Sequence, residues 1–182
     1  MTETSGMGKG EESTAKSAAR RLTFPAGEET LSALLLAPPS PRVLFVYGHG
    51  AGAGMEHPFM EASAGAFVER GVATFRYNFP YMEGRRGRPD RASVLRRVVR
   101  AAVEAASAAL PGVPLVAGGK SMGGRMTSEA QAEAPLPGVL GLIFVGFPLH
   151  RPDRPGIERA ENLARESHTM LYLQGTRDQM AD

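Results

Sequence analysis

The stretch Ala117–Met126, AGGKSMGGRM, holds two incompatible chemistries. As Gly-Lys-Ser it ends like a phosphate-cradling loop, in which Ser121 would hold a magnesium ion; as Gly119-x-Ser121-x-Gly123 it is a nucleophile elbow, in which Ser121 attacks a carbonyl. A phosphate loop of this kind places its first glycine at position 114, and that residue is proline. Pro114 to Ala117 instead form the body of an apolar strand, without the curved row of free N–H groups that wraps a phosphate. An elbow needs a buried strand, a sharp turn and a helix that leaves at once, with small residues on both sides because strand and helix nearly touch. VPLVAGG (113–119) supplies the strand, SMGGRMTSEAQAEA (121–134) the helix, and Gly119, Gly123 and Gly124 the small flanks.

Acyl transfer through a serine develops an oxyanion that needs two donors. The backbone N–H of Met122, directly after Ser121, is one. The other is expected from the loop after an earlier central strand, and GHGAGAG (48–54) follows RVLFVYG there; its second donor is assigned to the Ala51 N–H, with Gly50 letting backbone approach substrate. His49 in this loop shapes the backbone or lies on the substrate side. The same loop also satisfies a dinucleotide fingerprint, with Gly48, Gly50 and Ala53. A nicotinamide enzyme wants an acid about 20 positions later, and FRYNFPYM offers Arg76 and Asn78 with no acid before Glu83.

The remaining elements must hold these two loops together. RLTF and TLSALLLAP form two opening strands around a turn at Gly27–Glu29, and RVLFVYG is a continuous apolar run of the kind buried on both faces. HPFMEASAGAFVERG (57–71) is a weak helix closing on Gly71, and VATFRYNF the next strand. Asp90 is placed to cap a helix whose stripe is Val94, Leu95, Val98, Val99, Ala102, Val103 and Ala106, stopped by Pro111 and Gly112. VLGLIFVGF and TMLYLQG are two further strands, with a short helix around 157–165 between them. Strand and helix in alternation predict a mostly parallel sheet covered on both faces.

Composition bounds the rest. The chain has 182 residues, 42% apolar and 22% charged, with 22 glycines and 14 prolines, as in one turn-rich globular domain. Without cysteine there is no disulfide, thiolate metal site or cysteine nucleophile, and no cofactor or metal is expected. No segment approaches the roughly 18 apolar residues of a membrane span, and a net charge of +2 does not argue for nucleic acid. Arg85, Arg86, Arg88, Arg91, Arg96, Arg97 and Arg100 form a local basic run, but no aromatic platform accompanies it, and its helical half lies opposite the apolar stripe. Residues 1–20, small and polar without an apolar core, are expected to be a disordered tail of a cytoplasmic protein, leaving 21–182 as the domain.

In order, VYGHGAGAGMEHPFM, FRYNFPYMEGRR, GGKSMGGRM, GFPLHRPDRP and LYLQGTRD resemble the compact α/β-hydrolase family related to dienelactone hydrolases, whose members include a testis-expressed protein and a subunit of the non-specific-lethal chromatin complex. The resemblance covers about residues 21–182. It implies an α/β-hydrolase fold, Ser121 as nucleophile, Asp178 as triad acid and His57 and His150 on the pocket rim, but fixes no substrate; VLGLIFVGF and TMLYLQG are joined by a stretch too short for a lid domain, so an open site for small soluble esters or lactones is expected. In that fold the triad histidine follows the acid, and only Gln179, Met180, Ala181 and Asp182 follow Asp178. A last strand and helix would take about 30 more residues, so the sequence is expected to be a truncated form lacking that unit and its histidine, nearly inactive as written. Loss of a triad histidine costs on the order of a millionfold in kcat. The alternative is a non-catalytic interaction module that keeps the fold without the chemistry.

Overall fold

The structure is a computed structural model that describes residues 18–84, 86–150, 156, 157, 159, 163 and 167–178. The strands are β1 (Arg20–Ala26), β2 (Glu29–Leu36), β3 (Val43–Gly48), β4 (Val72–Tyr77), β5 (Leu115–Lys120), β6 (Val139–Val145) and β7 (Thr169–Leu173). The helices are α1 (Pro58–Val68), α2 (Pro80–Glu83), α3 (Ala92–Ala109) and α4 (Met122–Glu133). One sheet in the order β1-β2-β4-β3-β5-β6-β7 contains all the strands. β1, β2 and β4 pair antiparallel, and every pairing from β4 through β3, β5 and β6 to β7 is parallel. This is the α/β-hydrolase fold expected from the sequence, a mostly parallel sheet with helices on both faces.

Alternation along β3 divides the core between the two faces of the sheet. Leu44 and Val46 join the larger cluster with Leu95, Val98, Val99 and Val103 of α3 and Met126 and Ala130 of α4. Phe45 and Tyr47 point the other way, against Met60 and Phe67 of α1. Phe45 stacks on Tyr47 with centroids 4.7 Å apart, and Phe67 meets Phe45 edge-on at 5.3 Å. The continuous apolar run of this strand is therefore the mark of a strand covered twice.

The chain order also fixes where a site can form. After β3 the chain moves to β4 on one side, then returns to β5 on the other, so the loops leaving β3 and β5 diverge across a crevice at the carboxyl ends. In register, Gly48 pairs with Gly119 at that end. The glycine-rich loop and the elbow thus start side by side.

Local expectations differ from the structure in a few places. β1 begins at Arg20, inside the stretch expected to be tail, whereas residues 1–17 lie outside the described residues. Asp90 does not cap α3: the cap residue is Arg91, without a side-chain bond. Its carboxylate instead accepts the Tyr81 N–H at 2.9 Å and faces Arg86 at 3.4 Å, a pull from α2 and its loop that outweighs a local cap. The sequence pattern does not predict α2 itself; Pro80 at its first turn supplies a preset φ for helix entry. The short helix expected around 157–165, and Arg85, fall mostly or wholly outside the described residues.

The two sheet edges are chemically unlike. β1, RRLTFPA, carries two arginines and a proline, which discourage pairing with another strand. β7, TMLYL, carries neither charge nor proline and leaves Leu171, Tyr172 and Leu173 between 42 and 49% exposed. Leu171→Lys should therefore reduce concentration-dependent self-association in sedimentation velocity without loss of native circular dichroism; an unchanged sedimentation profile would show that β7 is not a sticky edge.

Candidate active site

Ser121 stands at the corner between β5 and α4, with φ 48° and ψ −109°. Among the described residues it is the only non-glycine with positive φ. Such a conformation costs about 1–3 kcal/mol and persists only where surroundings enforce it. Here they do. A β-carbon on Gly119 would stand 2.6 Å from the Gly48 carbonyl oxygen and 2.6 Å from the Gly123 carbonyl carbon. One on Gly123 would stand 2.4 Å from the Gly48 oxygen and 2.8 Å from that of His49. Strand β3, strand β5 and the first turn of α4 meet backbone to backbone, and the Ser121 N–H donates to the Val145 carbonyl at 3.1 Å.

The elbow opens into a cleft of about 740 Å³. Ser121, Met122, Gly50 and Ala51 all line it, so four of the seven residues expected at the site come together there. A β-carbon on Gly50 would lie 3.8 Å from the Ser121 β-carbon, which measures how closely the glycine-rich loop approaches the serine. Met122 opens α4, so its N–H has no partner inside the helix and shares the positive end of the helix dipole.

The other three residues lie apart from the cleft lining. Asp178 follows β7, where its carboxylate accepts the Gln174 amide at 2.7 Å; Gln174 in turn accepts the Phe147 N–H at 2.9 Å. Gly146 brings this acid toward the elbow: a β-carbon there would lie 3.4 Å from Asp178 Oδ2 and 2.9 Å from Lys120 Nζ. His150 is buried, and its carbonyl accepts Arg159 Nη1 at 2.9 Å. His49 is fully buried beneath the loop, ringed by Phe79 and Tyr81 at 4.9 and 5.9 Å.

Two backbone groups hold the His49 ring. Its Nε2 accepts the Phe79 N–H at 3.1 Å, and its Nδ1 lies 2.8 Å from the Gly50 carbonyl. A backbone N–H can only donate, so Nε2 is the acceptor and Nδ1 carries the proton. Burial pushes its pKa down from 6.5 to about 4, against the smaller opposing pull of the Gly50 carbonyl.

The far end of the same loop is tied to the end of β4 and the residue after it. Asn78 accepts the Met55 N–H at 2.9 Å, and buried Arg76 donates to the Met55 carbonyl at 2.8 Å. These are the two polar residues that stood where a dinucleotide site wants an acid. Their work is to hold the loop. A second contributor that sequence alone left undecided is His57, which lines the cleft. It caps α1, its Nδ1 accepting the Phe59 N–H at 3.2 Å, so neutral His57 carries its proton on Nε2. Phe59, 44% exposed, forms the adjoining wall, with the Lys120 ammonium 6.0 Å from its ring centre. Pro58, at the first turn of α1, was the available signal of a helix start, and it leaves His57 in the cap position.

Two outcomes follow. Gly123→Ala should lower stability by about 3 kcal/mol, read from the urea midpoint, because its methyl meets backbone that cannot yield. For His49, the folded pKa lies below the unfolded one, so its contribution is full above pH 6.5 and falls as the pH drops toward 4. Urea unfolding at pH 7 and pH 4 should show the stability gap between wild type and His49→Asn narrowing by about 3 kcal/mol; a constant gap would refute the depressed pKa.

Three solved structures share the architecture. A serine hydrolase homologue from Coxiella burnetii matches with TM-score 0.73 and 19% identity, over 88% of this chain and 76% of that one. The dienelactone hydrolase of Anabaena variabilis matches at 0.65 and 20%, over 86% and 85%. A lidless serine hydrolase from Xanthomonas campestris, XC6422, matches at 0.64 and 21%, over 89% and 85%. At these identities the likeness is one of fold. Among the described residues no helix is long and apolar enough to cross a membrane. A family model described as an alpha/beta hydrolase domain matches residues 41–182, and the chain therefore belongs to the alpha/beta hydrolase domain family.

Proposed function

We propose that the cleft is the active site of a serine hydrolase acting on small carboxylic esters or lactones. The observation that carries this is the forced backbone of Ser121, the lone positive-φ non-glycine among the described residues, placed where its side chain borders the cleft beside the glycine-rich loop. Ser121 attacks the carbonyl, the Ala51 and Met122 N–H groups receive the oxyanion, and Asp178 is the acid that orients a histidine base. The substrate is a small molecule, the setting cytoplasmic, and the narrower kinship is with the testis-expressed and non-specific-lethal complex relatives.

Three of the four described histidines are engaged elsewhere. His49 has both ring nitrogens engaged, and His168 bonds Gln131. His57 borders the cleft, but its Nδ1 accepts a backbone N–H, so its free nitrogen is a donor when neutral. Were no histidine to take that place, hydrolysis would fall to the residual acceleration of about 10³–10⁴ over water that oxyanion donors and binding sustain alone. This favours a second reading, a hydrolase fold retained as a non-catalytic interaction module.

Added imidazole separates the two. With a fluorophosphonate probe, imidazole should speed labelling of Ser121 in the wild-type chain, located by peptide mass spectrometry, while Ser121→Ala stays unlabelled. Absence of label at Ser121 even with imidazole would remove the nucleophile and leave the module.

A further inference from the structure

We infer that His49 is a positioning residue: by holding the Gly50 carbonyl on the buried side of the loop, it turns the Ala51 N–H toward Ser121. This rests on the proposed roles of Ser121 as nucleophile and Ala51 as oxyanion donor.

The Gly50 carbonyl and the Ala51 N–H belong to one planar trans peptide, whose C=O and N–H point in opposite directions. Fixing one end aims the other. His49 Nδ1 lies 2.8 Å from the Gly50 oxygen from beneath, inside the aromatic surround of Phe79 and Tyr81. Gly50 and Ala51 both line the cleft, so a carbonyl drawn back onto the buried ring leaves the cleft side to the N–H of the same peptide. Left to itself this segment would not hold one orientation, because glycine at position 50 lets the peptide rotate at little cost.

The proton on Nδ1 is assigned by a separate contact. The Phe79 N–H, 3.1 Å from Nε2, demands a lone pair there and so keeps the ring's only proton facing Gly50. The Gly50 oxygen also receives the Ala53 N–H at 3.4 Å, which closes a tight turn around the donor. Together with Asn78 and Arg76 on Met55, both ends of the loop are tied to the end of β4 and the residues that follow it. The alignment of the oxyanion site is thus set from underneath by groups that never touch substrate.

Three variants separate positioning from bulk structure. His49→Asn keeps a donor at the δ position, His49→Gln reaches Phe79 without that donor, and His49→Phe keeps the ring volume with neither bond. Imidazole-assisted fluorophosphonate labelling should proceed in the His49→Asn protein within about fivefold of wild type, while the His49→Phe protein is slower on the order of 100-fold, as for loss of one oxyanion donor. Nitrogen-15 NMR of wild type should show a neutral ring protonated at Nδ1, and the Ala51 amide should shift in the His49→Phe protein. Labelling of a folded His49→Phe protein within about threefold of wild type, a loss too small for an oxyanion donor, or an Nε2-protonated ring, would overturn the inference. Where His49→Phe does not fold, fast labelling in His49→Asn and slow labelling in His49→Gln supports the inference, and the reverse order overturns it. If wild type itself is not labelled, the nucleophile is lost but the ring tautomer and the Ala51 amide still decide the clip.

Discussion

Everything at this site depends on three backbones being allowed to touch. The ends of β3 and β5 and the first turn of α4 converge at Gly48, Gly119 and Gly123, where β-carbons added to Gly119 or Gly123 would fall 2.4–2.8 Å from backbone atoms. Contact at that range leaves the chain one way to leave β5, through a corner with positive φ. Ser121 occupies it, and the same closeness brings the loop after β3 to within van der Waals reach of the serine. The corner is therefore a consequence of packing between elements distant in sequence, although it is written as a local pentapeptide.

Much of this was legible in the letters. Gly119 and Gly123 announced a tight corner, Pro114 excluded a phosphate loop, and the stripe read along α3 is buried from Leu95 to Ala106, with Val94 at its start only half-buried. The continuous run of β3 is buried on both faces, which alternation alone could not have distinguished from a helix segment. Illegible were the contacts that cross the sequence. Nothing in GHGAG says that its histidine will find Phe79, thirty residues on, and nothing in FRYNF says that Arg76 and Asn78 will hold Met55. Asp90 has the residue type of a helix cap, but a peptide N–H presented by α2 takes its carboxylate first. Local rules assign a polar residue its options, and tertiary structure chooses among them.

The charged groups follow the same division between local and distant. Arg96 bonds Glu129 at 3.1 Å and Glu133 at 2.6 Å, tying α3 to α4 across their half-buried flanks. Those contacts absorb part of the basic run that stood out in the sequence. Lys120, by contrast, turns its ammonium toward the ring of Phe59 and the space beside Gly146, so the cleft wall next to Ser121 is both aromatic and cationic. On the second face of the sheet the cluster of Phe45, Tyr47 and Met60 seats α1 and through it the His57 cap.

The positive φ of Ser121 has an implication for how such a chain drifts over generations. At 48° a side chain is a burden to folding, and glycine would relieve roughly 1 kcal/mol of it. A lineage kept only for its shape would gain by shedding the hydroxyl at that corner. Ser121 thus sets an oxygen atom where stability favours bare backbone, so the corner carries a side chain that the fold itself does not call for.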